Sequence, residues 1–247
     1  PYLPNSIHPN TLSFLRIIRE NNDREWFANN KDYYLNAKKD FDGFTEGLQE
    51  ELVQYDEILP TLPLNDIQFR LYRDMRFSTD GTPYKDYFSI AMSRTGKKGN
   101  YATYSVVIKC DVVILAGGYS SMGDRDTSPR KLLPMRNLIQ ENPSTFKQVL
   151  ASVQKDSSNN VFKANSDDIN GIVAEFCEMN QDKALKRAPA GFDPNSKDIN
   201  LLMLRSYSIR LKLDPSLLME KDGAKLAARY LSFLEPFVSF LNNVLEP

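Results

Sequence analysis

The chain has 247 residues, 41% of them hydrophobic and 26% charged, so it is long enough for a self-sufficient core and has an ordinary globular composition. Its 31 basic and 32 acidic residues give a formal net charge of −1, which argues against a globally basic nucleic-acid-binding protein. Any electrostatic attraction for an anion must therefore come from a local patch. The two cysteines exclude a disulfide framework. With no leader-like N-terminus and no long apolar run, we expect an intracellular protein, cytoplasmic or nuclear, that does not bind membranes.

The first third of the chain has the spacing of amphipathic helices. Apolar residues at helical steps predict a first helix that ends near residue 21: Leu12, Leu15 and Ile18. Asn22, followed three residues later by Glu25, is typical of a capping box and predicts the start of a second helix. A longer stripe indicates the buried face of that helix: Tyr34, Ala37, Phe41, Phe44, Leu48 and Leu52.

The hydrophobic period then changes to that of β-strands. Five segments are predicted as strands: residues 67–72, 87–94, 102–109, 112–118 and 206–213. Short connections favour an antiparallel sheet, with turns at residues 96–100 and 110–111. Gly117 and Gly118, at the end of a buried strand, indicate a close approach either by a ligand or by a packed helix.

Helical spacing returns in the second half. Helices are predicted after Pro129 and after Pro143, and a last one, kinked at Pro236, has a predicted stripe of five residues: Leu226, Tyr230, Phe233, Phe237 and Leu241. We therefore predict a single α+β domain over residues 1–247, mainly an antiparallel sheet flanked by long amphipathic N- and C-terminal helices. Short disordered ends and a flexible loop near residues 155–166 are also expected, because the loop segment is rich in Ser and Asn.

Residues 70–85, here called the Arg/Asp loop, have the highest density of recognition side chains. The candidate ligand-binding residues are Arg70, Arg73, Arg76, Ser78, Tyr84 and Lys85. Arginine forks suit phosphate and carboxylate groups because they donate two parallel hydrogen bonds to paired oxygens. Asp74 and Asp80 are the candidate catalytic residues, as a general base or as magnesium ligands, although nothing else in the sequence supports magnesium. The alternative is an ion-pair network in which the aspartates only neutralise the arginines.

Other residues provide weaker candidates. Trp26 beside Arg24 forms either a stacking platform for a ring or part of the core. Lys186 with Arg187 is interpreted as a solvated basic pair, and His8, the single histidine, as an exposed residue before the first helix. One histidine excludes a multi-histidine metal site and makes a Ser-His-Asp triad improbable. No Walker loop, dinucleotide-binding glycine pattern or zinc-ligand spacing is present, so we predict no metal site and no nucleotide cofactor of those classes.

Three blocks of the sequence together resemble a known family. The blocks are Asn-Asn-Asp-Arg-Glu-Trp-Phe at 21–27, Arg-Leu-Tyr-Arg-Asp-Met-Arg-Phe-Ser at 70–78 with Thr-Pro-Tyr-Lys at 82–85, and Lys-Arg-Ala-Pro-Ala-Gly-Phe at 186–192. In this order they resemble a bacterial and fungal family catalogued as domain of unknown function 2461, over nearly the whole chain. The resemblance implies a single domain and makes the blocks candidates for one shared site, but it implies no activity. The chain departs from the family pattern at Thr79, Gly81 and Ala190, where basic residues are usual.

Two functions follow as hypotheses. In the first, the Arg/Asp loop binds a phosphorylated ligand, either a nucleotide or a nucleic-acid end, with or without catalysis. In the second, the protein is a non-catalytic interaction module, its loop is a structural ion-pair network, and a surface helix binds a protein partner. The three missing basic residues and the net charge favour the second hypothesis, and the density of the loop favours the first. Whether the protein is an enzyme, and which cofactor it would use, stays open from the sequence.

Overall fold

Four β-strands form one antiparallel sheet in the computed structural model of the chain: Phe88–Met92 (β1), Thr103–Ile108 (β2), Val113–Ser120 (β3) and Ser206–Leu213 (β4). They are hydrogen-bonded in the order β1-β2-β3-β4. The structure describes residues 5–76, 78–120, 129–154 and 160–245. The predicted α+β class, the antiparallel sheet and four of the five predicted strands are therefore confirmed.

Eleven α-helices lie in the described ranges. They are Pro9–Glu20 (α1), Arg24–Asn29 (α2), Lys31–Leu52 (α3), Leu64–Ile67 (α4), Leu133–Glu141 (α5), Pro143–Ser152 (α6), Ile169–Met179 (α7), Ile199–Leu202 (α8), Ser216–Met219 (α9), Gly223–Ser232 (α10) and Glu235–Leu245 (α11). Short 3-10 helices span Pro129–Leu132 and Gln181–Lys183. The sequence patterns predicted α1, α3, α5 and α6 but not α7.

The predicted strand at 67–72 is wrong. Ile67 ends α4, and the rest of the segment makes two isolated antiparallel bridges, Gln68 with Ile90 and Tyr72 with Tyr84. Four chain steps separate Gln68 from Tyr72, whereas six separate Tyr84 from Ile90. Because the two sides have unequal numbers of residues, one continuous ladder cannot join the bridges, and the pairing is interrupted as at a bulge.

The contacts divide the chain into two compact units. The first unit takes its described residues from 1–97, 105–115 and 212–232, and the second from 98–104, 116–211 and 233–247. β1 lies in the first unit, and each of the other strands contributes residues to both. A single domain over the whole chain stays a prediction. Short disordered ends are expected without bounds, and residues 1–4 and 246–247 lie outside the described residues, as do residues 155–159 of the expected flexible loop.

In the first unit, α3 carries the predicted apolar stripe. Phe41 is fully buried and stacks on Phe88 of β1 with ring centroids 4.6 Å apart. The helix start differs from the prediction, because the cap of α2 is Asp23, whose carboxylate accepts the backbone N–H of Trp26 at 2.7 Å. Asn22, the predicted cap, instead binds the backbone of Tyr84.

The predicted last helix is two helices, α10 in the first unit and α11 in the second. Pro236 is the second residue of α11, where a missing N–H costs no helical hydrogen bond. A new helix therefore begins at Glu235, and no kink forms within a continuous helix. The face predicted for α10 is wrong, because Leu226 and Tyr230 are only half-buried; Phe233, also half-buried, lies just after the end of α10. The buried stripe on α10 is instead made mainly of small residues that allow close packing on α3: Ala224, Ala227, Ala228 and Leu231. On α11 the predicted Phe237 and Leu241 are buried.

The second unit has an aromatic core. Its fully buried rings include Phe146, Phe176, Tyr207 and Phe237, and the ring centroids of Phe176 and Phe237 lie 5.6 Å apart. Gly118 has a φ of 154°, and a Cβ there would lie 2.1 Å from the carbonyl oxygen of Tyr207. A Cβ at Gly117 would lie 2.9 Å from Leu234, just before α11, and 3.0 Å from Val238 of α11, so protein segments make both close approaches.

Candidate functional site

The first two sequence blocks are in contact within the first unit. Residues of the first block, 21–27, bind Tyr84 near the end of the Arg/Asp loop. The Asn22 amide nitrogen donates to the carbonyl oxygen of Tyr84 at 2.9 Å, and the backbone N–H of Tyr84 donates back to the amide oxygen at 3.1 Å. The rings of Phe27 and Tyr84 stack at 4.2 Å between centroids. Tyr84 is thus a buried anchor of the loop, and burial raises its pKa.

Arg24 and Trp26, the weaker candidates, lie in the same block. Trp26 is half-buried, with its ring centroid 6.5 Å from that of Phe14, so part of its surface packs on the core of α1. Arg24 is exposed and lies close enough to Tyr84 for its charge to act on that hydroxyl. Both residues therefore lie beside the loop anchor.

Arg73 joins the two arms of the Arg/Asp loop. Its backbone N–H donates to the carbonyl oxygen of Pro83 at 2.9 Å, and its Nε donates to the carbonyl oxygen of Tyr84 at 3.0 Å. A guanidinium nitrogen also lies 3.5 Å from a carboxylate oxygen of Asp80. Arg73 therefore links the two arms through one side-chain hydrogen bond and one ion pair, and its side chain stays 30% exposed.

The two aspartates proposed as catalytic are both engaged locally. Asp74 forms a two-pronged ion pair with Arg76 at 3.0 and 2.7 Å, and the Arg76 side chain is 75% exposed. Asp80 accepts hydrogen bonds from the backbone N–H and hydroxyl of Thr82 and from the hydroxyl of Ser78. These bonds, led by the backbone N–H of Thr82, lower the pKa of Asp80 to about 2.

Lys85 has an environment of a different kind. The side chain is half-buried, and its pKa is lowered first by that burial and then by the positive charges of Arg73, Arg70 and Lys97. The neighbouring charges that shift it are all positive. Arg70 is exposed, so this cationic group is open to solvent on one side.

Two lysines and two rings that the sequence analysis missed complete this surface. The Lys85 ammonium lies 5.6 Å from the ring centroid of Phe69 and 5.8 Å from that of Tyr87. Lys97 lies 5.7 Å from Phe69, and Lys109 lies 5.6 Å from Tyr87. We call these five residues the lysine–aromatic surface. Tyr87 precedes β1 and Lys109 follows its antiparallel neighbour β2, so the strand prediction itself could have placed them at one edge.

The third sequence block lies in the second unit. Lys186 and Arg187 are exposed, as predicted, and they line a cavity of about 590 Å³ together with other basic residues. Pro189 and Phe192 close a tight turn at the end of this block, with the N–H of Phe192 donating to the carbonyl oxygen of Pro189 at 3.1 Å. The sequence analysis had no signal that joined this block to basic residues more than forty positions away on the 3-10 helix and α5.

A second cavity, of about 820 Å³, lies in the first unit between α1 and α3 and is lined by His8, Tyr33, Asp40 and neighbours. His8 is half-buried and caps α1, with Nδ1 accepting the backbone N–H of Asn10 at 3.1 Å. The buried Asp40 accepts the backbone N–H of His8 and the hydroxyl of Thr11 through Oδ2. His8 and Asp40 therefore have structural roles at the start of α1.

Residues 10–240 match a family described as conserved hypothetical protein (DUF2461). The chain belongs to this family. The match covers all three sequence blocks, so the resemblance found in them is confirmed. Comparisons with curated proteins and with solved structures give no match. Among the described residues, no helix is long and apolar enough to cross a bilayer.

Proposed function

We propose that the Arg/Asp loop and the lysine–aromatic surface bind a phosphorylated ligand, either a nucleotide or a nucleic-acid end. The main support is the environment of Lys85, a half-buried ammonium whose pKa is lowered by burial and by the positive charges of Arg73, Arg70 and Lys97. Like charges held together repel one another, and an anion bound between them relieves the repulsion. A phosphate group has the charge and the acceptor oxygens for this position.

The two rings support a nucleotide rather than a bare phosphate. Phe69 is 39% exposed although it is large and apolar, and two ammonium groups, of Lys85 and Lys97, lie 5.6 and 5.7 Å from its ring centroid. Exposed rings within a positively charged surface stack on bases while the cations bind the backbone. A single-stranded end, with an unpaired base beside a terminal phosphate, has both features.

The loop residues take different roles in this proposal. Arg70 and Lys85 contact the anion, and Arg73 positions them because its own guanidinium holds Tyr84 and Asp80. Asp80 is ionised at neutral pH but is a weak base, because its pKa is about 2. We therefore propose binding as the function and give Asp74 and Asp80 the role of ordering the loop.

Fluorescence anisotropy with a labelled single-stranded oligonucleotide, with or without a 5′-phosphate, tests the proposal. Lys85→Met and Arg70→Gln should each weaken binding of the phosphorylated strand by about tenfold, the value of one charged hydrogen bond. The control Lys221→Met removes an exposed positive charge elsewhere in the first unit and should change binding less than about twofold. Equal binding by all three variants and the parent would contradict the proposal.

The interaction-module hypothesis has one observation in its favour, the internal contacts of Arg73. If the loop is only a structural network, Arg73→Ala should destabilise the protein by about 1–3 kcal/mol, because it leaves the Tyr84 carbonyl and Asp80 without this partner. In that case no phosphorylated strand or nucleotide should raise the melting temperature of the parent. Stabilisation of the parent by such a ligand, absent in Lys85→Met, would favour phosphate binding instead.

A further inference from the structure

The second unit contains a cavity whose charged lining is entirely basic. Five cations line it: Arg130, Arg136, Lys186, Arg187 and Arg205. No Asp or Glu is among the described residues that line it. Its volume of about 590 Å³ lies in the range of small-molecule sites. Charges of one sign that line a concave site attract ions of the opposite sign into it.

Arg136, on α5, is the buried member of this group. The whole residue is only 3% exposed. Its Nε and one terminal nitrogen donate to the carbonyl oxygens of Leu202 and Leu204 at 2.9 and 3.2 Å. Burial lowers its pKa, and the nearby charge of Arg205 acts in the same direction. Its partners are neutral carbonyl groups and the Tyr207 hydroxyl, so a buried positive charge is hydrogen-bonded without being neutralised.

The rim of the cavity is built by the third sequence block. The turn from Pro189 to Phe192 has Gly191 at its third position with φ of 87°, the conformation that a type II turn requires there. Pro189 and Phe192 of this turn line the cavity. The exposed Lys186 and Arg187, which precede the turn in the sequence, line it as well. The cavity therefore combines exposed cations with an apolar wall that includes Leu132.

We infer that this cavity binds a small organic anion, with a phosphate or carboxylate head against the basic residues and an apolar group against Leu132, Pro189 and Phe192. The anionic head would be the negatively charged partner of the buried Arg136, whose hydrogen-bond partners within the protein are neutral. The apolar wall distinguishes this ligand from inorganic phosphate, which has nothing to bury there. The cavity shares no residue with the lysine–aromatic surface, because every lining residue belongs to the second unit and the surface residues belong to the first.

Isothermal titration calorimetry of the full chain tests the inference with four probes: phenyl phosphate, benzoate, inorganic phosphate and benzyl alcohol. Phenyl phosphate should bind in the millimolar range or tighter, and at least about fivefold more tightly than either inorganic phosphate or benzyl alcohol. Benzoate reports whether a carboxylate head is accepted as well as a phosphate. Binding of benzyl alcohol as tight as that of phenyl phosphate would overturn the ionic part of the inference. Equal binding of inorganic phosphate would overturn the apolar part.

Matched variants locate the binding. Arg187→Gln should weaken phenyl phosphate binding by about fivefold or more, and Lys183→Gln, an exposed charge nearby that does not line the cavity, should change it less than about twofold. Both residues are exposed, so both variants should melt like the parent. Lys85→Met should bind phenyl phosphate normally, and Arg187→Gln should bind the oligonucleotide normally, which separates this site from the proposed function. Equal losses in Arg187→Gln and Lys183→Gln, or no saturable binding by the parent, would overturn the inference.

Discussion

Replacing Asn22 by Ala should destabilise the Arg/Asp loop through two specific hydrogen bonds. The Asn22 amide donates to the Tyr84 carbonyl oxygen and accepts the Tyr84 backbone N–H, and Tyr84 is only 5% exposed. The carbonyl oxygen keeps a second partner, the Nε of Arg73, so most of the loss falls on the buried N–H. Two such bonds with one donor left unsatisfied amount to about 1–3 kcal/mol of unfolding free energy.

Urea denaturation and thermal melts measure this loss, with Asn29→Ala as the control because Asn29 is exposed at the end of α2. For a chain of this size, each kcal/mol lowers the melting temperature by roughly 2–4 °C. Hydrogen exchange adds a local readout, because the Tyr84 amide should exchange faster in Asn22→Ala and not in the control. A stability change below about 0.5 kcal/mol, with unchanged Tyr84 exchange, would refute this account of how the loop is held.

Three further predictions concern stability and reactivity. Phe41→Ala and Phe237→Ala should each cost about 3–5 kcal/mol in denaturant melts, because both rings are fully buried, and losses below about 1 kcal/mol would contradict the packing. Because the pKa of Asp80 is lowered from 3.8 to about 2, its charge stabilises the fold above about pH 4, and the stability difference from Asp80→Asn should shrink as the pH falls toward 2. Burial raises the pKa of the Cys177 thiol to about 11, so it should resist a thiol reagent at pH 8 in native protein, and rapid labelling would contradict its burial.

The fold predictions that were confirmed rested on regular spacing of apolar residues within one segment. The alternation of Tyr104, Val106 and Ile108 identified β2, and the apolar stripe through Phe41 identified α3. The failed strand at 67–72 also alternates, but a local pattern cannot reveal that its partner segment carries two extra residues. Pairing depends on both segments, and only one was used in the prediction.

The buried face of α10 failed for a related reason. The buried face was predicted from large apolar residues such as Leu226 and Tyr230, whereas the structure buries mainly small alanines. Where two helices approach closely, small side chains fit at the contact and large ones remain at its margin. The size of side chain that fits at a contact depends on how closely the neighbouring helix approaches. The spacing of residues along one helix does not reveal that distance.

The sequence analysis named only some of the residues of the proposed site. It named Arg70 and Lys85 as candidates from the density of charge in one segment, but it did not name Lys97 and Lys109, which belong to other segments and lie beside the same rings as Lys85. It also treated the arginines as equivalent, although Arg73 holds the loop together while Arg70 is exposed. Such division of roles depends on which backbone carbonyls lie within reach, and that is a property of the folded chain.

The ionisation of Lys85 tests the central proposal most directly. With lysine side chains labelled for NMR, the pKa of Lys85 should lie below its ordinary value of 10.5 in the free protein, because burial and neighbouring cations disfavour the charged form. A phosphate bound at this position favours the charged form, so adding the 5′-phosphorylated oligonucleotide should raise that pKa, and the unphosphorylated strand should raise it less. Binding of the phosphorylated strand with an unchanged Lys85 pKa would contradict the proposed site.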